Sequence, residues 1–212
     1  MSIFLPRRKT LGVTFILIAV NVAVYVYTAI LSGNFIAISD EVVTKYGQSN
    51  AAVFGGAVWL LFTSLFIHAN IVHLGGNMIF LLIFGLRAEE MFDTEQYLLI
   101  YFLSGLAGNV LTLVYGPLVY GADMISVGAS GAIFGIFGAV TVYARRSIGQ
   151  SIIGALLFAF FLLLINIGPE VNIFAHVGGL FAGLVIGYVL GTLRQRKGPY
   201  PYQVTYSYPG YI

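Results

Sequence analysis

Six stretches of this chain, residues 12–31, 67–86, 96–114, 127–144, 148–167 and 171–193, contain no Asp, Glu, Lys or Arg. Each is close to the ~20 residues a helix needs to cross the hydrocarbon of a bilayer. Only 8% of the 212 residues are charged, and 59% are hydrophobic, whereas soluble domains carry about 25% charged residues. In lipid every backbone polar group must be satisfied within the protein, which leaves helices or a closed barrel. Barrel strands alternate apolar and polar residues, and runs such as 158–165 do not. The expected fold class is all-α, a polytopic membrane protein built as a six-transmembrane-helix bundle.

The basic residues set its orientation. Arg7, Arg8 and Lys9 precede the first run; Arg87 follows the second, Arg145 and Arg146 the fourth, and Arg194, Arg196 and Lys197 the sixth. With six spans these all fall on one side, and only Lys45 falls on the other. The positive-inside rule then places both termini in the cytoplasm. The first run is long for a signal-peptide core, so it is read as an uncleaved span. The expected organisation is a cytoplasmic N-terminus at 1–11, one membrane domain at 12–193 and a cytoplasmic tail at 194–212. The last 15 residues of that tail hold three prolines and five tyrosines with no apolar period, a disordered composition. The first extracytoplasmic loop, about 32–66, is long. Its glycine-broken apolar part around Trp59 suits an element lying at the outer interface. The chain has no cysteine, hence no disulfide and no thiolate site. Its basic residues form no stripe for nucleic acid.

All three histidines, His68, His73 and His176, lie in or at the lip of these apolar runs. Ionisable groups are costly there and mark function by default. Spans two, four and six enter from the outside, and each carries its unusual residues near that entry. Span two opens with His68, His73 and Asn77, span four with Gly128 and Ser130, span six with His176. At about 1.5 Å per residue, Ser130 and His176 come to similar depth. Asn77 lies four residues after His73, on the same helix face. Gly179, Gly183, Gly187 and Gly191 form a smooth stripe on span six, and Gly131, Gly135 and Ala139 form one on span four. Such stripes let backbones approach closely, which would bring Ser130 and His176 together. A serine hydroxyl becomes a nucleophile when a base takes its proton, and His176 is the candidate base. Asp123 and Glu170 lie near helix ends and no carboxylate lies within a span, so a dyad is expected in place of a triad. Ser130 near a helix N-terminus has backbone N–H groups for a developing oxyanion, and His73 and Asn77 could add donors.

The set His-x-x-x-x-His-Leu-x-x-Asn at 68–77, Gly-x-Ser-Gly at 128–131 and Ala-His-x-Gly-Gly-x-x-x-Gly at 175–183 resembles the rhomboid family of intramembrane serine proteases. Lys45-Tyr46-Gly47, Trp59 and residues 62–66 are similar to that family's first loop. The resemblance covers about residues 12–193. It implies Ser130 as nucleophile and His176 as base, with His73, Asn77 and the Ser130 N–H as oxyanion hole. It implies Gly128 as the point where a substrate backbone comes close. His68 and Phe134 are candidates for a supporting role beside that set. The implied reaction is peptide-bond hydrolysis in or near transmembrane helices of membrane-protein substrates, on the extracytoplasmic side and with no cofactor or metal. Two positions depart from the family pattern. Leu60 stands where many members carry arginine, and Phe134 stands where many carry a tyrosine that stacks on the catalytic histidine.

Each residue alone has a plainer reading: Ser130 as a small packing residue, His176 or Asn77 as an interhelical bridge, His68 as an interfacial or capping group, Asn109 and Asn166 as interhelical hydrogen bonders. The rival functions are a catalytically silent, client-binding relative and a small transporter, against which the lack of an internal repeat counts. A metal site is disfavoured because His68 and His73 lie five residues apart, off one helix face. An α/β-hydrolase elbow is excluded by Ala132 at its final glycine position. Oligomeric state and substrate identity are not encoded legibly. Which element opens to admit a substrate helix is not legible either; the fifth span, bulky with Phe158, Phe160 and Phe161, is one hypothesis.

Overall fold

The computed structural model describes residues 12–121, 124–148, 153 and 171–196. The 1–11 segment, nearly all of the expected fifth span with its gate phenylalanines, Asn166 and most of the tail lie outside these residues.

Helix α1, Val13–Ser32, buries one stripe (Thr14, Leu17, Asn21, Tyr25 and Thr28) and leaves Phe15, Ile16 and Val22 exposed. That is the one-faced burial of a helix set against a protein core with lipid behind it. It stops at Gly33, whose left-handed φ of 64° lets its N–H return to the last carbonyls. The loop that follows is largely structured. It holds α2 (Asp40–Tyr46), strand β1 (Gln48–Ser49), α3 (Asn50–Phe54), α4 (Leu60–Thr63) and a 3₁₀ turn at Ser64–Phe66. Phe54, Val58, Trp59 and Phe62 face outward from it, while Leu60, at the family's arginine position, is buried.

Among the described residues, four helices are long and apolar enough to cross a membrane: Val13–Ser32, Ile71–Met91, Thr94–Val119 and Ile173–Leu193. They belong to α1, α5 (Ile71–Met91), α6 (Thr94–Tyr120) and α8 (Ile173–Arg196). Helix α7, Ser130–Ile148, has a shorter apolar part, Ser130–Arg145. It lies at the centre, packed against α5, α6 and α8, with 131–139 and 141–144 all buried. Surrounded by protein, it does not need to match the bilayer thickness. The segment before it is extended: β2 (Ile125–Ser126) pairs antiparallel with β1, Gln48 opposite Ser126 and Ser49 opposite Ile125. Non-helical backbone at this depth is tolerated because protein satisfies it.

Several expected boundaries move, each for a local reason. The second apolar run starts as loop: helix α5 begins at Ile71, because Asn70 is extended (φ −157°) and its side chain accepts from His73 N at 2.8 Å. His68 therefore lies ahead of the helix. Helix α5 also continues past Arg87 to Met91. Its last turn puts charge to use, with Arg87 paired to Glu90 and Glu89 accepting from Thr14 N at the start of α1 at 2.6 Å. Helix α6 begins in a capping box made by Asp93 and Gln96. Span four starts as helix at Ser130 instead of 127, and α8 runs on through Arg196, past residue 193.

The glycine stripes meet as expected. A Cβ on Gly131 would lie 3.0 Å from Ala175 O, one on Gly138 2.8 Å from Leu180 O, and one on Gly187 2.5 Å from Ala139 O. Gly183 and Gly179 sit against the backbones of Gly135 and Gly131. Helices α7 and α8 thus touch backbone to backbone, a contact that side chains at these positions would prevent.

Candidate active site

That close contact brings the entries of α7 and α8 side by side. Ser130 is the first residue of α7, where the leading N–H groups have no intrahelical acceptor. His176 lies in the first turn of α8, buried, and its Nε2 is 2.9 Å from Ser130 Oγ. The imidazole also stacks on Phe134, with centroids 4.6 Å apart and planes at 29°. Phe134 is one turn after Ser130, so one helix supplies both the hydroxyl and the ring. His176 Nδ1 has no hydrogen-bond partner among the described residues. Asp123 and Glu170, the carboxylates nearest in sequence, lie outside them.

The second wall comes from α5. Asn77 Nδ2 donates to His73 O one turn earlier at 2.9 Å, leaving its other N–H free of that bond. Gly128 holds the opposite wall in a conformation that L side chains rarely adopt, φ 116°. A Cβ there would lie 2.7 Å from His73 Nε2, and Asn77 Nδ2 is 3.9 Å from the same point. Gly128 is fixed by its N–H, which donates to Ser64 O at 2.9 Å. His73, Asn77, Gly128, Ser130, Phe134 and His176 all line one cavity of about 410 Å³. Its lower part is apolar, walled by Phe80, Phe84 and Phe137. A polar cluster at the head of an apolar cleft is the usual make-up of a ligand-binding site.

His68 stands behind this cavity and not in its wall. It is fully buried, with Nδ1 3.3 Å from Phe66 O and its ring edge-on to His73 at 5.1 Å. The cap of α5 is Asn70, so His68 is a packed group ahead of the helix and not its cap.

Some residues that shape the site went unassigned in the sequence. Asn70 and Asn172 are N-caps of α5 and α8, signalled only by an asparagine just before an apolar run. Gln48, Asn50, Ser64, Thr112 and Ser126 are buried polar residues that join the first loop, α6 and β2. Asn109 bonds Leu61 O at 2.7 Å and Ser64 Oγ at 2.9 Å, bridging α6 to the loop, as its default reading holds.

Known proteins share this chain's pattern. The family model described as "Rhomboid domain" matches residues 55–193. "Putative rhomboid protease YdcA" of Bacillus subtilis (strain 168) is 33% identical over 190 residues, 87% of this chain and 91% of that protein. "RHOMBOID-like protein 6, mitochondrial" of Arabidopsis thaliana is 36% identical over 164 residues, 74% of this chain and 52% of that protein. "Rhomboid protease GluP" of Bacillus subtilis (strain 168) is 29% identical over 191 residues, 84% of this chain and 34% of that protein. The chain thus spans about half the length of the plant relative, less of GluP, and most of YdcA. With a matching domain that takes in the cavity and both of its glycine-packed helices, this multi-pass membrane protein belongs to the rhomboid family.

Proposed function

We propose that the protein is an intramembrane serine endopeptidase that hydrolyses peptide bonds in or near the transmembrane helices of other membrane proteins. The observation that carries this reading is the 2.9 Å approach of His176 Nε2 to Ser130 Oγ inside a cavity walled by further donors. The Ser130 hydroxyl donates to Nε2 of the Nδ1–H tautomer, and Oγ attacks the scissile carbonyl as that proton passes to His176. The tetrahedral oxyanion is met by the Ser130 N–H at the start of α7, by the unused Asn77 N–H and by His73 Nε2–H. The imidazolium then returns its proton to the leaving amine. Water repeats the sequence on the acyl-enzyme and frees Ser130. Phe134 holds the imidazole plane, and Gly128 lets the substrate backbone approach without a side chain in the way.

On this reading residues 12–193 form the catalytic membrane domain. The positive-inside pattern supports cytoplasmic termini and a cavity that opens to the extracytoplasmic side. The outward Phe54, Val58, Trp59 and Phe62 of the first loop would rest in the outer leaflet. The partners are the bilayer and single transmembrane helices.

The test is cleavage of a single-span reporter in liposomes by wild type, Ser130→Ala and His176→Ala. Loss of cleavage in both folded variants is expected. Cleavage that survives Ser130→Ala would overturn the mechanism. Silence of wild type across many reporters would instead favour a client-binding member of the family.

A further inference from the structure

The contact between Ser130 and His176 has a counterpart four residues upstream on both segments, where Ser126 is still in extended strand β2 and Asn172 caps α8. Asn172, four residues before His176, donates from Nδ2 to Ser126 Oγ at 2.7 Å, and Ser126 is four residues before Ser130. The same Nδ2 donates to Thr112 Oγ1 of α6 at 2.8 Å. The other end of the amide is also occupied: Oδ1 accepts from Phe174 N at 3.1 Å and from Ala175 N at 3.2 Å, capping α8. The Asn172 carbonyl accepts from His176 N at 3.3 Å. All three side chains are buried, Asn172 at 8%, Ser126 at 5% and Thr112 at 1% exposure.

The acceptors are held in turn. Thr112 Oγ1 donates to Gly108 O at 2.9 Å, so it faces Asn172 with its lone pairs. Ser126 sits opposite Gln48 in the β1–β2 ladder, and Gln48 Nε2 donates to Asn109 O of α6 at 2.9 Å. Helix α6 and the first loop therefore grip the approaches to α7 and α8 at one place. Glycine packing fixes how near these two helices lie. It is smooth, however, and resists sliding and rotation poorly. Directional hydrogen bonds from one amide to two hydroxyls supply what the glycines lack.

We propose that Asn172 is a positioning residue: by tying the start of α8 to Ser126 and Thr112, it sets the register in which His176 Nε2 meets Ser130 Oγ. It acts through His176 and touches no reacting atom. The kinetic consequence rests on the protease reading above; the geometric one does not. A displacement of about 1 Å between base and nucleophile can cost about 100-fold in rate, so the loss falls on kcat and leaves KM nearly unchanged.

The experiment uses Thr112→Val and Ser126→Ala, singly and together, with Thr112→Ser and Ser126→Thr as conservative partners. These changes leave the Asn172 cap of α8 in place and remove only what its Nδ2 reaches. Two readouts are taken on folded protein: reporter cleavage, and the ring ¹⁵N signals of His176, resolvable because the chain has three histidines. The double variant is expected to lose roughly 10- to 100-fold in kcat with KM within about twofold. Its His176 Nε2 signal should move away from the hydrogen-bonded position, and the conservative pair should restore both. His176 signals unchanged in the double variant would overturn the proposal, whether or not wild type cleaves. Equal loss in the conservative pair would overturn it too, since bulk packing would then explain the effect. If wild type cleaves nothing but the His176 signal still shifts, the tie stands and the protease reading falls.

Discussion

His176 lies on the face of Phe134, 4.6 Å between centroids and 29° between planes. Its Nδ1 has no hydrogen-bond partner among the described residues, so ring contact and the bond to Ser130 are what orient the imidazole. An offset aromatic stack is worth about 0.5–1.5 kcal/mol beyond simple burial, or roughly a 2- to 12-fold effect. Phe134→Ala is expected to lower kcat by about that factor or more, while Phe134→Tyr keeps the stack and stays near wild type. Reporter kinetics on the two variants check this. Equal losses would mean that the ring face is not what matters.

Gly128 joins a backbone argument to a site argument. At φ 116° a Cβ is strained, and here it would also fall 2.7 Å from His73 Nε2. Left-handed backbone costs a non-glycine residue about 1–2 kcal/mol, a loss that a bundle of this size survives. Gly128→Ala should therefore remain folded, with the melting temperature lowered by a few degrees, yet lose cleavage almost wholly as His73 is pushed aside. Parallel thermal melts and cleavage assays separate the two effects. Full activity would show that His73 has room to move without consequence.

The bundle core makes the opposite prediction. Gly183 lies against the Gly135 backbone, so a side chain has backbone and not a yielding rotamer to meet. Gly183→Val should part α7 from α8, destabilise the protein by more than the roughly 1–3 kcal/mol of ordinary overpacking, and abolish cleavage. Gly33→Ala probes a glycine with nothing within 4 Å of its would-be Cβ and φ 64°. It should cost only the backbone strain of about 1–2 kcal/mol and leave cleavage intact. Melts in detergent rank the two.

The same features decide what could be read from the chain alone. Charge-free runs reveal helices because lipid admits little else, and the small-residue stripes reveal which faces meet. The Ser130–His176 pair was legible through depth and stripe together. Helix starts were not. Asn70 ends an apolar run's claim to be helix by capping α5 at its third amide, and hydropathy does not see a single side-chain bond. The exit of α5 is hidden for a related reason: Glu89 in its last turn serves α1, 75 residues away in sequence, and no local pattern announces a long-range cap. The polar spine through Gln48, Asn109, Thr112 and Ser126 is built from residues that singly look like ordinary loop or helix polar groups. Only their convergence gives them meaning. Phe134 shows the reverse case, since a family expectation flagged it and the geometry then placed its ring against His176.

His68 lies behind His73, outside the cavity wall. It is fully buried, with Nδ1 3.3 Å from Phe66 O and its ring edge against His73. It therefore holds the extended stretch ahead of α5 and backs the imidazole that lines the cavity. His68→Phe keeps the edge contact but leaves the Phe66 carbonyl without this donor, a loss of about 1–3 kcal/mol for a buried acceptor. His68→Ala loses both. The expected order of stability is wild type, then Phe, then Ala. Cleavage should fall far more for Ala, because only there does His73 lose its backing. Melting temperatures and kcat measured on the same preparations decide the matter. If the two variants lose activity in proportion to stability alone, His68 is a structural residue with no bearing on how His73 is presented.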